Sequence, residues 1–357
     1  MSLALTDLCR YPIVQAPMAG GVSSPQLVGA VADAGALGFL AAGYKTADGM
    51  YHEIKELRRL TGRPFGVNLF MPQLLLADPS AVEVYRHQLA GEASWYETPL
   101  GDPDSSGDDG YEAKVAILLD DPVPVVSFTF GCPTREVLDA FAAAGTFTVV
   151  TVTTPQEARN AQWAGAHAVC VQGTEAGGHQ STHRDDPQDG LTGTGLLTLV
   201  AEVRESVRLP LLAAGGLMRG SQITAVLAAG ADAAQLGTAF LACPESGAHP
   251  LHKQALTNPL FVTTALTRAF SGRPARGLVN RFVREHGRYA PAAYPQVHQL
   301  TSGLRKAAAK AGDAQGMALW AGQGHRMARE LPAGELVELL AVETEAARAA
   351  VNLRSAQ

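Results

Sequence analysis

The chain has 357 residues, of which 46% are hydrophobic and 17% charged, and a formal net charge of −6. That length accommodates one large domain with an appendage, or two domains. The acidic balance gives no electrostatic case for nucleic acid or an anionic membrane as a partner.

The leading "MSLALTDLCRYPIVQ" has neither a basic start nor a long apolar core, so no signal peptide is expected. No uninterrupted apolar stretch reaches the ~18 residues that suggest a membrane span. Cys9, Cys132, Cys170 and Cys243 match no zinc or CxxC spacing. The expectation is a cytoplasmic protein with reduced thiols and no metal.

The first apolar run, IVQAPM from Ile13, leads into Pro17, Met18, Ala19, Gly20 and Gly21. Ser24 then offers an N-cap and Pro25 a first helical residue, with Leu27, Val28 and Val31 on one face of the helix. The second run starts at Leu37, and the third, FGVNLF from Phe65, carries Asn68. The fourth starts at Val123 and contains Thr129. The fifth starts at Thr146, and after it Thr154 and Glu157 have the spacing of a capping box. The sixth, from Ala168, ends in Gln172; Cys170 within it reads as a buried small hydrophobe. The seventh starts at Leu209 and the eighth at Ala233. Gly35, Gly145, Gly165 and Gly230 stand just before runs, where a left-handed residue stops the preceding helix.

Most starts lie 22 to 28 residues apart, the length of one βα unit. Continuous apolar strands alternating with helices imply a parallel sheet covered on both faces. Eight of them predict an α/β fold of the (β/α)8 TIM-barrel type; an open doubly wound sheet is the alternative. Two intervals are longer: 58 residues from Phe65 to Val123, and 41 from Ala168 to Leu209. Both follow strands, so both fall at the C-terminal mouth of a barrel, where active sites sit. The chain after Phe240 exceeds what eight units need. The division expected is a barrel over 1–72 and 123–243. Residues 73–122 and 244–357 form a smaller helical substrate domain over the mouth and a C-terminal segment. The arginine-rich run from Arg268 to Arg288 reads as a solvated loop or an anion contact.

The strand-end residues concentrate glycine. Gly215 and Gly216 follow the seventh run, and Gln235, Leu236, Gly237 and Thr238 end the eighth, where barrels bind phosphate through backbone N–H groups. "VQGTEAGGHQSTH" places Gly177 and Gly178 before His179. Glycine permits close approach of a ligand, and histidine is easily tuned for proton transfer. His179 and His183 are four apart, but the glycines argue against the helix a metal pair needs. These residues alone point to a phosphorylated cofactor in a barrel mouth.

The sequence resembles the nitronate monooxygenase family, formerly called 2-nitropropane dioxygenases, over most of its length. The resemblance rests on "PIVQAPMAGG", "FGVNLF", "VSFTFG", "VQGTEAGGH", "LLAAGGL" followed by "GADAAQLGTAFL", and "WAGQG" at 320–324. It implies an FMN-binding barrel with a helical substrate domain. It also implies that Pro17, Met18 and Ala19 lie against the flavin ring and that Asn68 and Gln172 bond its polar edge. Gly177, Gly178, Gly215, Gly216 and Gln235 to Thr238 would hold the rest of the cofactor. His179 matches the active-site histidine, and Gly322 and Gln323 the segment that returns to the flavin. Many relatives carry histidine where this chain has Thr129, with His183 as a possible substitute.

The activity expected is FMN-dependent oxidation of alkyl nitronates, or of nitroalkanes, by dioxygen to carbonyl compounds and nitrite. A cationic or hydrogen-bonding His179 would bind the nitronate anion, or His179 would be the α-proton base. The alternatives are an FMN-dependent enoyl-acyl-carrier-protein reductase and a non-enzymatic flavin-binding protein. A small-molecule substrate and a monomeric or homodimeric state are expected.

Overall fold

Eight parallel strands close into a barrel in the computed structural model, which describes residues 5–73, 77–105, 107, 109–186 and 190–355. They are β1 (Ile13–Gln15), β2 (Leu37–Ala41), β3 (Phe65–Phe70), β4 (Val125–Thr129), β5 (Phe147–Val152), β6 (Ala168–Gln172), β8 (Leu211–Ala214) and β9 (Ala233–Leu236). Each pairs with the next in that order, and β9 returns to β1. The eight runs read from the sequence are these eight strands. β4 and β8 start two residues later than their runs, because Pro124 and Pro210 lack the N–H a ladder needs. The four glycines placed at helix ends all have positive φ, from 79° to 109°.

The helices, in chain order, begin with α1 (Leu5–Leu8), α2 (Pro25–Asp33) and α3 (Ala47–Leu60). Next come α4 (Pro79–Gln88), α5 (Ala90–Trp95), α6 (Tyr111–Asp120), α7 (Arg135–Ala143), α8 (Pro155–Ala164) and α9 (Leu196–Ser206). The last are α10 (Gly220–Ala228), α11 (Thr238–Leu241), α12 (Pro250–Ala255), α13 (Arg281–His286), α14 (Gln296–Lys310) and α15 (Ala333–Ser355). Ser24 caps α2 and Thr154 caps α8 through hydrogen bonds at N3. The capping box on α8 is half made: Glu157 accepts from the N–H and hydroxyl of Thr153, not from Thr154.

The barrel's narrow interior holds Val14, Phe39, Val125, Phe147 and Leu212, closed below by Leu5 and Leu8 of α1. The larger apolar layer lies between strands and outer helices. Burial of this extent is the main drive for the fold. No described helix is long and apolar enough to cross a membrane.

The expected helical substrate domain differs from the structure in three ways. First, α6 packs on α3 and β3, and its Leu118 enters the barrel layer, so it is the helix of the third βα unit. Second, α15 lies along α10 and α2 and buries Leu336, Val337 and Leu340 there. The helix directly after β9, α11, is four residues long, and α15 fills the eighth outer position instead. Gly220 allows this: a Cβ there would run into the backbone and Cβ at Glu343–Thr344. Third, the layer is not all helical. β10 (Thr264–Thr267) and β11 (Ala275–Leu278) form a three-stranded sheet with β7 (Gly178–His179).

What remains of the layer has its own core. Val82, Tyr85 and Leu89 of α4 and its end pack with Phe270, Phe282, Val297 and Leu300. A charged cluster fastens the same elements: Glu92 of α5 accepts both guanidinium arms of Arg281 and the Nε2 of His286 at 3.0 Å.

Candidate active site

A cavity of about 1620 Å3 opens at the C-terminal ends of the barrel strands. A drug-sized ligand typically occupies a pocket of ~300–1,000 Å3, so there is room for a cofactor and a substrate together. Pro17, Met18, Ala19, Asn68, Gln172, Gly177, Gly178, His179, Gly215, Gly216, Gln235, Leu236, Gly237 and Thr238 all line it. Residues brought from across the whole sequence therefore meet at one place, as strand-end placement in a closed barrel requires.

On the side of β8 and β9 the wall is backbone. Among the described residues, the N–H groups of Gly215, Gly216, Gly237 and Thr238 have no hydrogen-bond partner. Gly216 sits at φ 68°, so its peptide turns where side-chain-bearing residues seldom go. Four free donors on two adjacent loops make an anion cradle without a cationic side chain.

Two sequence-derived assignments change character. Gln172 donates to the carbonyl of His179 (3.1 Å) and accepts from the N–H of Ser181 (2.7 Å). Both ends of its amide are spent on holding the 179–181 segment. Gly322 and Gln323 do not line the cavity. Gln323 holds the loop before His179 by donating to the carbonyl of Glu175 (3.0 Å), while Gly322 donates to the Thr238 hydroxyl at the start of α11 (2.9 Å). At Gly177 a Cβ would lie 2.5 Å from the nitrogen of Gly322. Gly177→Ala is therefore expected to cost about 1–3 kcal/mol of stability, as overpacking does, read as a lowered urea midpoint.

Asn68 uses its Nδ2 on Ser127 Oγ (2.9 Å) and on Thr129 Oγ1 (2.9 Å). Thr129 thus orients Asn68 and lines the cavity itself. His183, expected as a possible substitute for a histidine at the position of Thr129, does not take that place. It is absent from the cavity wall, and its Nε2 lies 2.9 Å from the carbonyl of Thr151.

His179 does not hang on a free loop. Gly178 and His179 pair with Arg276 and Ala275 of β11, and Nε2 of His179 lies 2.9 Å from Ser271 Oγ. Its ring stands among Phe130, Tyr294 and Trp320, with centroids 5.6, 5.8 and 5.6 Å away. Burial, then the positive charges of Arg273 and Arg305, push its pKa down to about 3. That direction favours a neutral imidazole, the hydrogen-bonding or basic form of the expectation over the cationic one.

The sequence did not mark the rest of this wall. Tyr44 stacks face to face on His298 (4.2 Å, 9°), and its hydroxyl meets that of Tyr294 at 3.4 Å. Phe70 and Phe130 complete an aromatic box, with Arg305 of α14 on the cavity wall. The run from Arg268 is not a solvated loop: Arg268, Arg273 and Arg276 are all buried. The signal available was the small residues threaded through "RAFSGRPARG", which suit a packed segment better than a solvated one.

The family model described as nitronate monooxygenase matches residues 2–343. The nitronate monooxygenase of Pseudomonas aeruginosa is 41% identical over 351 residues, covering 94% of this chain and 96% of that protein. A probable nitronate monooxygenase of Bacillus subtilis is 36% identical, covering 93% and 95%. Among solved structures, a nitroalkane oxidase from Streptomyces ansochromogenes superposes with a TM-score of 0.95 at 73% identity, covering 97% of this chain and 99% of that one. FabK from Thermotoga maritima follows at a TM-score of 0.76 and 28% identity, covering 99% and 98%. With its strand-end site and these relatives, the chain belongs to the nitronate monooxygenase family of oxidoreductases.

Proposed function

We propose that this protein oxidises alkyl nitronates, and neutral nitroalkanes, with dioxygen to carbonyl compounds and nitrite, using non-covalently bound FMN. The carrying observation is a histidine held 2.9 Å from Ser271 Oγ in a cavity that also presents four free backbone donors. The donors fit one phosphate group, and the sequence has no dinucleotide fingerprint. Pro17 to Ala19 and Asn68 would flank the ring, Gly177 and Gly178 would lie along the rest of the cofactor, and Gly215, Gly216, Gly237 and Thr238 would hold the phosphate. When bound, FMN would take electrons from the nitronate and pass them to dioxygen.

The protein's own part concerns the proton and the anion. Ser271 Oγ lies 3.2 Å from the carbonyl of Arg273, to which it donates. Nε2–H of His179 then donates to Ser271, and Nδ1 is left as the basic nitrogen; this tautomer is assigned from the network. Nδ1 takes the α-proton of a neutral nitroalkane, and the pair C–H becomes the nitronate's π electrons. A neutral imidazole with a low pKa is a weak base in the free protein. Formation of the nitronate beside it supplies an opposite charge that favours the imidazolium. A preformed nitronate needs no such step. The layer formed by α4, α5, β10, β11, α13 and α14 is proposed to cover the substrate and exclude water.

One paired assay tests the reading. Purified protein should consume dioxygen with ethylnitronate, and should not consume NADH with an enoyl thioester. The reverse pattern would assign it to the alternative enoyl reductase chemistry. Denaturation should release FMN on chromatography; FAD, or no flavin in fresh protein, would refute the cofactor.

A further inference from the structure

Arg273 is 1% exposed, yet among the described residues no carboxylate touches its guanidinium. It donates instead to neutral acceptors: the side-chain oxygen of Gln73, the carbonyl of Thr182, and that of Gln180 at 3.4 Å. Its charged carbon lies 4.1 Å from the centre of the Phe130 ring. The same ring stands edge-on to His179 at 5.6 Å. Phe130 is held at φ 75°, a costly backbone for a bulky residue, with its N–H on Ser181 Oγ.

The surrounding charges do not cancel this one. Asp185 is taken by Arg268 (2.5 Å), and Glu157 by the N–H groups of Thr153 and His183. On α14, Arg305 bonds only the carbonyls of Thr301 and His298 and the His298 ring. His298, like His179, is held neutral by burial and by Arg305. Burial keeps Tyr44 and Tyr294 protonated. The one described acidic side chain on the cavity wall, Asp109, is paired with Lys114. The site thus carries excess positive charge, and its most deeply buried source is Arg273.

We propose that Arg273 is a positioning residue that makes the cavity select anions: its fixed charge acts through Phe130 on a planar anionic group beside His179, favouring a nitronate over its neutral nitroalkane. The identity of that anion rests on the function proposed above; the selection of an anion does not. Neutral acceptors suit this role, because they fix the guanidinium without spending its field. At an effective permittivity near 20, a unit charge ~8 Å away changes an anion's affinity by more than tenfold.

The test is ligand-observed NMR titration of the purified protein with nitrate, a planar monoanion, and acetone, a neutral planar probe. Arg273→Lys should bind nitrate within about threefold of the parent, since the charge remains. Arg273→Gln should bind it at least tenfold more weakly, with acetone changed by less than threefold. Gln73→Glu, which sets a carboxylate against the intact guanidinium, should also weaken nitrate alone, and it serves if Arg273→Gln gives no cooperative melt. Equal losses of nitrate and acetone in these variants would reduce Arg273 to a purely structural part and overturn the proposal. So would parent-like nitrate binding in Gln73→Glu. A protein that shows the nitrate pattern but oxidises no nitronate would leave this inference standing while the proposed function fell.

Discussion

His179→Asn is expected to cut oxidation of a neutral nitroalkane by about 10²–10⁴-fold, the usual contribution of a positioned base, and to lower nitronate oxidation far less. The asymmetry follows from the proton: a nitroalkane must lose one and a nitronate has already lost it. Asparagine still donates a hydrogen bond within the box of Phe130, Tyr294 and Trp320. A second expectation concerns pH. Burial and two arginines hold the folded pKa near 3, so His179 stays unprotonated well below neutrality. The rate on a neutral nitroalkane should therefore show no loss between pH 7 and pH 5 attributable to this group. Steady-state kinetics on both substrates, with flavin content checked, decides the matter. Unchanged rates on both in a fully loaded variant would remove any catalytic part for His179.

The largest effect on stability is expected at Glu92. Its carboxylate is 6% exposed and bonded to Arg281 and His286. Glu92→Gln leaves those donors facing a neutral amide. Removing one partner of a buried pair costs about 3–5 kcal/mol; Arg281 keeps some contact with water, so about 3 kcal/mol is expected. Although burial alone would raise it, the bonds and charges of Arg281 and His286 bring the Glu92 pKa down to about 2. With the folded value below the unfolded one, its contribution is full above ~4.5 and is lost as pH falls from there toward 2. The parent should therefore lose stability across that window more steeply than Glu92→Gln. Urea melts at pH 7 and pH 4 test both statements, and equal midpoints at pH 7 would sink them.

The barrel was legible because its rules are local. A proline or glycine at a helix end, and a run of Val, Leu and Ala at strand length, are each set by a few neighbouring residues. That is why all eight strands and the four helix-stopping glycines came out of the sequence. The cavity-lining residues at the strand ends followed from the same count. What escaped depends on partners far along the chain. Gln172 looks like a ligand-facing amide until the backbone at residues 179 and 181 comes to meet it. Arg273 looks like part of a solvated run until Gln73, 200 residues away, reaches its guanidinium. The resemblance to relatives could name His179, but only packing shows that burial, with two arginines beside it, keeps its ring neutral.

The placement of α15 makes the covering layer an excursion inside the last βα unit, just as α4 and α5 are an excursion inside the third. A flap fastened at both ends cannot swing away like a terminal arm, and it is hard to exchange between two molecules. It also sets the order of assembly on the ribosome. The wall between α10 and α2 stays open, with its apolar stripe bare, until the segment around Leu336 to Leu340 has emerged. A chain stopped short of Ala333 would thus be expected to aggregate through that seam rather than persist as a smaller working enzyme.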